Sequence, residues 1–371
     1  MDSRFTAAPL FEPFTIGRTA LANRIVMAPM TRQASRGGVP GLDVAAYYRR
    51  RAENGVGLII TEGTYIDHSA ANAFADGPDF FGDAALDGWR RVLDAVHGAG
   101  GRIIPQLWHC GPERRRGMPH DPAVPGYGPV EIRDGDTVQV RAMTPNDIEA
   151  VTASYVRAAR TAERLGFDGV EIHAAHEFLL DTFLWARSNT RTDDYGGSLE
   201  NRLRFPLEVV RAVRQNVSAD FPIVLRFCQF KRSDYGARIA ETPEELARIV
   251  KPLGDAGVDM FHASERRFWE PAFTGSPDNL ATWARKLTGK PVITVGSVGL
   301  QHAVEGDPIA SSSIPTNNIH LAINRLRDGA FDLVAVGRAL LADPLWASKV
   351  RDGSFGDMLG YDPAMLSQPL F

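Results

Sequence analysis

Eight short runs rich in β-branched residues, each closed by Gly, Pro or a polar residue, recur along the chain. They are RIVMAPM (24–30), GLIITEG (57–63), RIIPQLWH (102–109), GVEIH (169–173), PIVLRF (222–227), DMFHAS (259–264), PVITVGS (291–297) and DLVAVGR (332–338). Near-continuous apolar runs of this length suit strands buried on both faces of a parallel sheet. Segments of helical period lie between them. Ile148, Val151, Tyr155, Ala159, Ala162 and Leu165 form one stripe, and Leu203, Leu207, Val210, Val213 and Val217 another. Thr242-Pro-Glu-Glu245 reads as a capping box with proline at the first helical position, Thr144-Pro-Asn-Asp147 as a weaker version, and Asp343-Pro344 as the start of the last helix. Strands alternating with helices predict a closed (β/α)8 TIM barrel spanning 1–371 as one domain. An open doubly wound sheet would advertise a GxGxxG turn after a strand, and the chain has none.

The longest interval between strands, 111–143, follows the third strand. Its first part, GPERRRGMPHDPAVPGYGPV (111–130), is dense in Gly and Pro, so an irregular excursion is expected there, a candidate lid over the barrel mouth. Arg114–Arg116 within it read as a solvated charge run. A second long loop, 298–317, follows the seventh strand and includes Ser311–Ser313. Lys+Arg of 41 against Asp+Glu of 45 gives a net charge of -4, so nothing favours nucleic acid or an anionic membrane as partner. Cys110 and Cys228 lie outside any metal-ligand spacing and fit a reduced compartment. With no secretory pattern at the start and no apolar run of membrane-spanning length, a cytoplasmic protein is expected. The oligomeric state is left open.

Functional residues of barrels gather at the C-terminal ends of the strands. Those ends carry Met30 and Thr31, Glu62 and Gly63, Gln106, Trp108 and His109, His173, Arg226, Ser264, Gly296 and Ser297, and Gly337 and Arg338. The last four follow strands seven and eight, where barrels commonly bind phosphate. His173 and His176 have a spacing that a metal site could use. A third ligand is needed, and neither His109 nor His262 sits in a ligand pattern, so no metal is expected.

Four segments carry a resemblance over nearly the whole chain: LFEPFTIGRTALANRIVMAPMTR (10–32), QLWH (106–109), GVEIHAAHEFLLDTFLWARSNTRTDDYGGSLENR (169–202) and VAVGRALLADPLW (334–346). Together they resemble the Old Yellow Enzyme family of flavin-dependent ene-reductases. The resemblance implies FMN, held non-covalently across the barrel mouth, with NAD(P)H as reductant. It implies Ala28, Pro29, Met30 and Thr31 beside the isoalloxazine, with the Thr31 hydroxyl near the N5/O4 edge. Gly63 would leave room for the ring, Gln106 would bond the pyrimidine edge, and Arg226 would bring positive charge to N1/O2. Gly296, Ser297, Gly337 and Arg338 would hold the phosphate. His173 and His176 would donate hydrogen bonds to the carbonyl oxygen of an α,β-unsaturated substrate, an enone or enal. Taken singly, these residues have structural alternatives: Gly63 ending a strand, Gln106 satisfying a neighbour, Arg226 pairing with a core carboxylate.

Phe178 departs from the family pattern. The family usually has a tyrosine there that donates a proton, and phenylalanine has none to give. Alkene reduction needs a hydride at the β-carbon and a proton at the α-carbon, and a general acid is worth roughly 10²–10⁴-fold in such a step. Glu177, where the family often has glycine, is a second departure and reads as a solvated loop carboxylate. The expected activity is NAD(P)H-dependent reduction of an activated C=C bond, with water or Tyr65 supplying the proton. A flavin-dependent double-bond isomerase and a flavin-binding protein without turnover are the alternatives.

Overall fold

The computed structural model describes residues 6–301, 312–316 and 318–371. Eight parallel strands close into a barrel. They are β1 (Ile25–Met27), β2 (Leu58–Tyr65), β3 (Arg102–Trp108), β4 (Val170–His173), β5 (Ile223–Cys228), β6 (Met260–Ser264), β7 (Val292–Val295) and β8 (Leu333–Val336). Each falls within or beside one of the eight apolar runs, and each pairs with its sequence neighbours all the way round, β8 closing on β1. Helices follow in turn: α1 (Leu42–Glu53), α2 (Asp83–Gly98), α3 (Pro145–Leu165), α4 (Leu199–Asn216), α5 (Pro243–Ala256), α6 (Leu280–Thr288), α7 (Ile319–Arg327) and α8 (Trp346–Asp352). No helix among the described residues is long and apolar enough to cross a membrane.

Side chains on a strand alternate between its two faces, and here that parity separates two cores. Val26, Ile60, Ile104, Val224, Met260, Ile293 and Leu333 form a small cluster inside the barrel. A hairpin of Phe14–Ile16 and Thr19–Leu21 joins that cluster through Ile16 and Leu21. Alternate residues, such as Ile103, Val170, Ile172, Leu225 and Phe261, join the larger core of the barrel and its helices. Continuing the inward parity toward the strand ends gives a polar set: Gln106 on β3, Glu171 and His173 on β4, Arg226 on β5, His262 and Ser264 on β6.

Helix-start chemistry holds with one reversal of rank. At α3 the box is complete: Thr144 accepts from Asp147 N, and Asp147 accepts from Thr144 N. At α5, Thr242 accepts from Glu245 N, but the Glu245 carboxylate reaches Glu241 N instead. Asp343 accepts from Leu345 N and precedes α8 by one short turn.

The excursion after β3 is more ordered than its composition suggests. Gly126–Gly128 and Ile132–Asp134 flank Thr137–Ala142 in a three-stranded sheet. Arg114 corrects the reading of 114–116 as solvated charge, because it is fully buried. Its guanidinium donates to the carbonyl oxygens of Asn72 (2.7 Å), Pro119 (2.6 Å), Asp121 (2.6 Å) and Val124 (3.2 Å). Loop carbonyls with no strand partner need donors, and a planar five-donor fork supplies several at once. Of the expected loop 298–317, residues 302–311 and 317, Ser311 included, lie outside the described residues, while Ser313 exchanges backbone hydrogen bonds with Tyr361.

Arg114→Lys keeps the charge but removes the fork. It is expected to cost about 3 kcal/mol of stability and to open 111–143 to limited proteolysis. An unchanged melting temperature with unchanged protease resistance would show that the carbonyls do not depend on Arg114.

Candidate active site

A cavity of about 1150 Å³ opens among the C-terminal strand ends. Ala28, Pro29, Met30, Thr31, Gln106, His173, His176, Phe178, Arg226, Gly296, Ser297, Gly337 and Arg338 all line it. Two expected residues do not, and both lie beyond a bulge in β2 between Ile60 and Gly63. A Cβ on Gly63 would stand 2.3 Å from the Trp108 ring, so the glycine makes room for that indole rather than for a ligand. Tyr65 is fully buried and stacks on Trp108 at 5.4 Å. Its hydroxyl accepts from Phe74 N (3.2 Å) and donates to Phe74 O (3.4 Å), and burial raises its pKa far above the ordinary phenol range. Tyr65 is therefore withdrawn as a proton source. Past the bulge, β2 continues beside β3 and points this ring under the 74–77 turn.

The floor is a buried polar network. The Gln106 amide donates to Glu171 Oε1 (2.7 Å), and His262 Nδ1 donates to Glu171 Oε2 (2.6 Å), the Glu171 and His262 side chains being wholly buried. With its nitrogen committed to Glu171, Gln106 has its carbonyl oxygen left for the cavity it lines. Arg226 lies level with His173 on one side and His262 on the other. It donates to Ser264 Oγ (3.2 Å), while its Nε is buried without a partner. A guanidinium with unmet donors fits an electron-rich ring edge. Glu171 was missed in the sequence and His262 was weighed only as a metal ligand, although their inward parity with His173 and Ser264 was there to be read.

His173 is the last residue of β4, and its Nδ1 accepts from Ala175 N (3.3 Å). Burial, with Arg226 nearby, pushes its pKa well down and keeps it neutral, so its proton sits on Nε2. His176 is held neutral by the same two causes. His176 and Glu177 both have φ of +61°, a left-handed pair that L side chains seldom adopt. That backbone accounts for glycine suiting position 177. Glu177 is tied down instead: its N donates to Asp181 Oδ2 (2.7 Å) and its carboxylate accepts from Ser233 N (2.7 Å). Asp181 in turn pairs with Lys231 at 2.8 Å, both wholly buried.

Phe178 stands edge-on to Trp108 (4.7 Å) and to His173 (5.1 Å). The Arg232 guanidinium lies 4.8 Å from its ring centre and pairs with Glu113 of the excursion. At the other end, a Cβ on Gly337 would meet only ordinary contacts, 3.7 Å from Met30 Sδ. Among the described residues no atom fills the place of a side chain there, which leaves that space to the cavity, while the φ of -98° and ψ of -107° of Gly337 also favour glycine. Together with the open donors of Arg226, this fits the FMN that the resemblance implies. Glu62 anchors the segment after Thr31, accepting from Arg32 N (2.7 Å) and Gln33 N (3.1 Å).

Residues 9–355 match the NADH:flavin oxidoreductase / NADH oxidase family. The chain is 34% identical to an NADH oxidase of Thermoanaerobacter brockii over 93% of its own length, spanning about half (51%) of that protein. It is 34% identical to a chanoclavine-I aldehyde reductase of Penicillium roqueforti, covering 93% of this chain and 89% of that one. Among solved structures, a morphinone reductase variant in complex with tetrahydroNAD superposes with a TM-score of 0.80 at 31% identity, covering 96% of this chain and 93% of that one.

Burial pushes the Glu62 carboxyl up to about 7 from 4.5. A raised carboxyl pKa means that the folded state favours the protonated form. Its stabilising effect is complete below about 4.5 and is lost as pH rises through 7. Glu62→Gln, which keeps an acceptor oxygen, should gain stability relative to the parent across that window, by up to about 3 kcal/mol. Parallel melting temperature–pH profiles for the two proteins would contradict this.

Proposed function

The chain belongs to the NADH:flavin oxidoreductase / NADH oxidase family, as a flavin oxidoreductase of the Old Yellow Enzyme type with non-covalent FMN and NAD(P)H as reductant, and from that premise we propose that it reduces the activated C=C bond of a small enone or enal. The observation that carries this reading is the pair of histidines, His173 and His176, lining one cavity with Arg226, burial lowering the pKa of both. Bound FMN would supply the hydride that NAD(P)H provides. Ala28, Pro29, Met30, Thr31, Gln106 and Arg226 would hold its ring, and Gly296, Ser297, Gly337 and Arg338 its phosphate. The two histidines would donate to the substrate carbonyl and stabilise the negative charge that grows on that oxygen as the β-carbon gains hydride. A neutral imidazole keeps one N–H with which to donate.

The α-carbon proton would come from water. Phe178 has no acidic hydrogen, and Tyr65 is sealed away from the cavity. Beside Phe178 the Arg232–Glu113 pair is about one-third exposed and lines the cavity, so water has access to that side. The same missing acid supports a second reading, in which hydride addition reverses before protonation and the double bond migrates. Residues Pro112, Glu113, Arg115, Pro129, Val130 and Ile132 line the cavity, which supports the excursion 111–143 as a lid within one domain. Buried, unpaired Cys110 and Cys228 support a cytoplasmic location.

The test is Phe178→Tyr in the FMN-loaded enzyme, with cyclohexenone and NAD(P)H. The variant should raise saturated product formation by roughly 10- to 100-fold while the rate of flavin reduction by NAD(P)H stays within a factor of a few. No NAD(P)H consumption by either protein would leave a flavin-binding role without turnover. Equal rates in both would show that the proton step never limited turnover.

A further inference from the structure

We propose that the Ser264 hydroxyl is a positioning group that fixes His176 as its Nδ1–H tautomer. Ser264 ends β6, level with Cys228 on β5 and Val295 on β7. Its Oγ is 3.2 Å from Arg226 Nη2 and 2.9 Å from His176 Nε2. A guanidinium has five donors and no acceptor, so toward Arg226 the oxygen can only accept. The hydroxyl proton then has a single acceptor in reach among the described residues, His176 Nε2. A neutral imidazole that accepts at Nε2 carries its proton on Nδ1. The groups that face the ring (Arg226, His173, Arg232 and Lys231) are cations or a second imidazole, and with burial they oppose its protonation. The other tautomer would crowd two donors onto Oγ and leave the serine proton without an acceptor.

His173 is fixed the opposite way by the backbone, because Ala175 N–H occupies its Nδ1. The two histidines are thus set as complementary tautomers by separate devices. His173 has Nε2–H left to donate and His176 has Nδ1–H, neither with a partner in the protein among the described residues. Arg226 completes the device for His176, since its donation to Oγ is what turns the serine proton toward the imidazole. Ser264 is in this sense the link between the cation of the floor and the donor on the wall. The use of these two protons on a substrate carbonyl rests on the function proposed above, whereas the tautomer itself does not.

The experiment is a long-range ¹H–¹⁵N spectrum of the FMN-loaded enzyme carrying ¹⁵N-histidine, at pH 7, with His176→Gln identifying the signals. The expected pattern is a protonated Nδ1 and bare Nε2 for His176, and the reverse for His173. Ser264→Ala should convert His176 to a mixture or to the Nε2–H form, and Ser264→Thr should restore the parent pattern. In parallel, para-chlorophenol binding followed by flavin absorbance should weaken roughly 5- to 50-fold in Ser264→Ala and recover in Ser264→Thr. A protonated Nε2 on His176 in the parent overturns the assignment, as does an unchanged pattern in Ser264→Ala. If the pattern holds but His173→Ala leaves phenol affinity untouched, the tautomer assignment stands and the carbonyl-donor reading fails.

Discussion

A closed parallel barrel cuts its inward side chains off from water, so a polar group inside must find its partners there or forfeit about 1–3 kcal/mol or more. The Glu171 carboxylate meets that requirement by accepting from Gln106 and from His262, with Arg226 close by in charge. This arrangement sets what the layer above can do. It commits the nitrogen of Gln106, fixes His262 as a donor at Nδ1, and sits beneath a guanidinium whose own donors are not all used. The upper part of the barrel interior is therefore a preorganised polar floor with unmet capacity facing a cavity, while the lower part is ordinary apolar packing.

The wall above that floor is held with comparable care. A buried ion pair, Asp181 with Lys231, anchors the left-handed turn that carries His176 and Glu177. Breaking a buried pair of this kind is far more costly than its net stabilisation, so the turn is fixed at the expense of tolerance to change. Phe178 follows immediately, packed edge-on against Trp108 and His173 and covered by Arg232. On the function proposed above, His173 and His176 orient and polarise a carbonyl, and Phe178 offers no acidic hydrogen beside them. The same proposal leaves the proton of the α-carbon to water.

The barrel was legible because buried parallel strands write themselves as continuous apolar runs, and all eight did so. The cavity residues at the ends of β1, β3, β4, β5, β7 and β8 were legible from strand ends together with the resemblance. Gly63 and Tyr65 were misplaced because nothing in the sequence shows that the Trp108 ring fills the space beside Gly63 and stacks on Tyr65, or that the Phe74 backbone closes over the Tyr65 hydroxyl. Arg114 was misread because three arginines in a polar loop look the same whether they are solvated or enclosed. Only the course of the chain supplies the carbonyls that make Arg114 a core residue. Glu171 was hidden inside a strand that otherwise reads as apolar, and parity alone could have brought forward both it and the hydrogen-bonding role of His262.

The most direct measurement is a single turnover in the absence of oxygen. The FMN-loaded enzyme, reduced with one equivalent of NAD(P)H and mixed with cyclohexenone, should return to oxidised flavin with one equivalent of cyclohexanone formed. Flavin that stays reduced while the enone is recovered unchanged or with its double bond moved would contradict alkene reduction by this site.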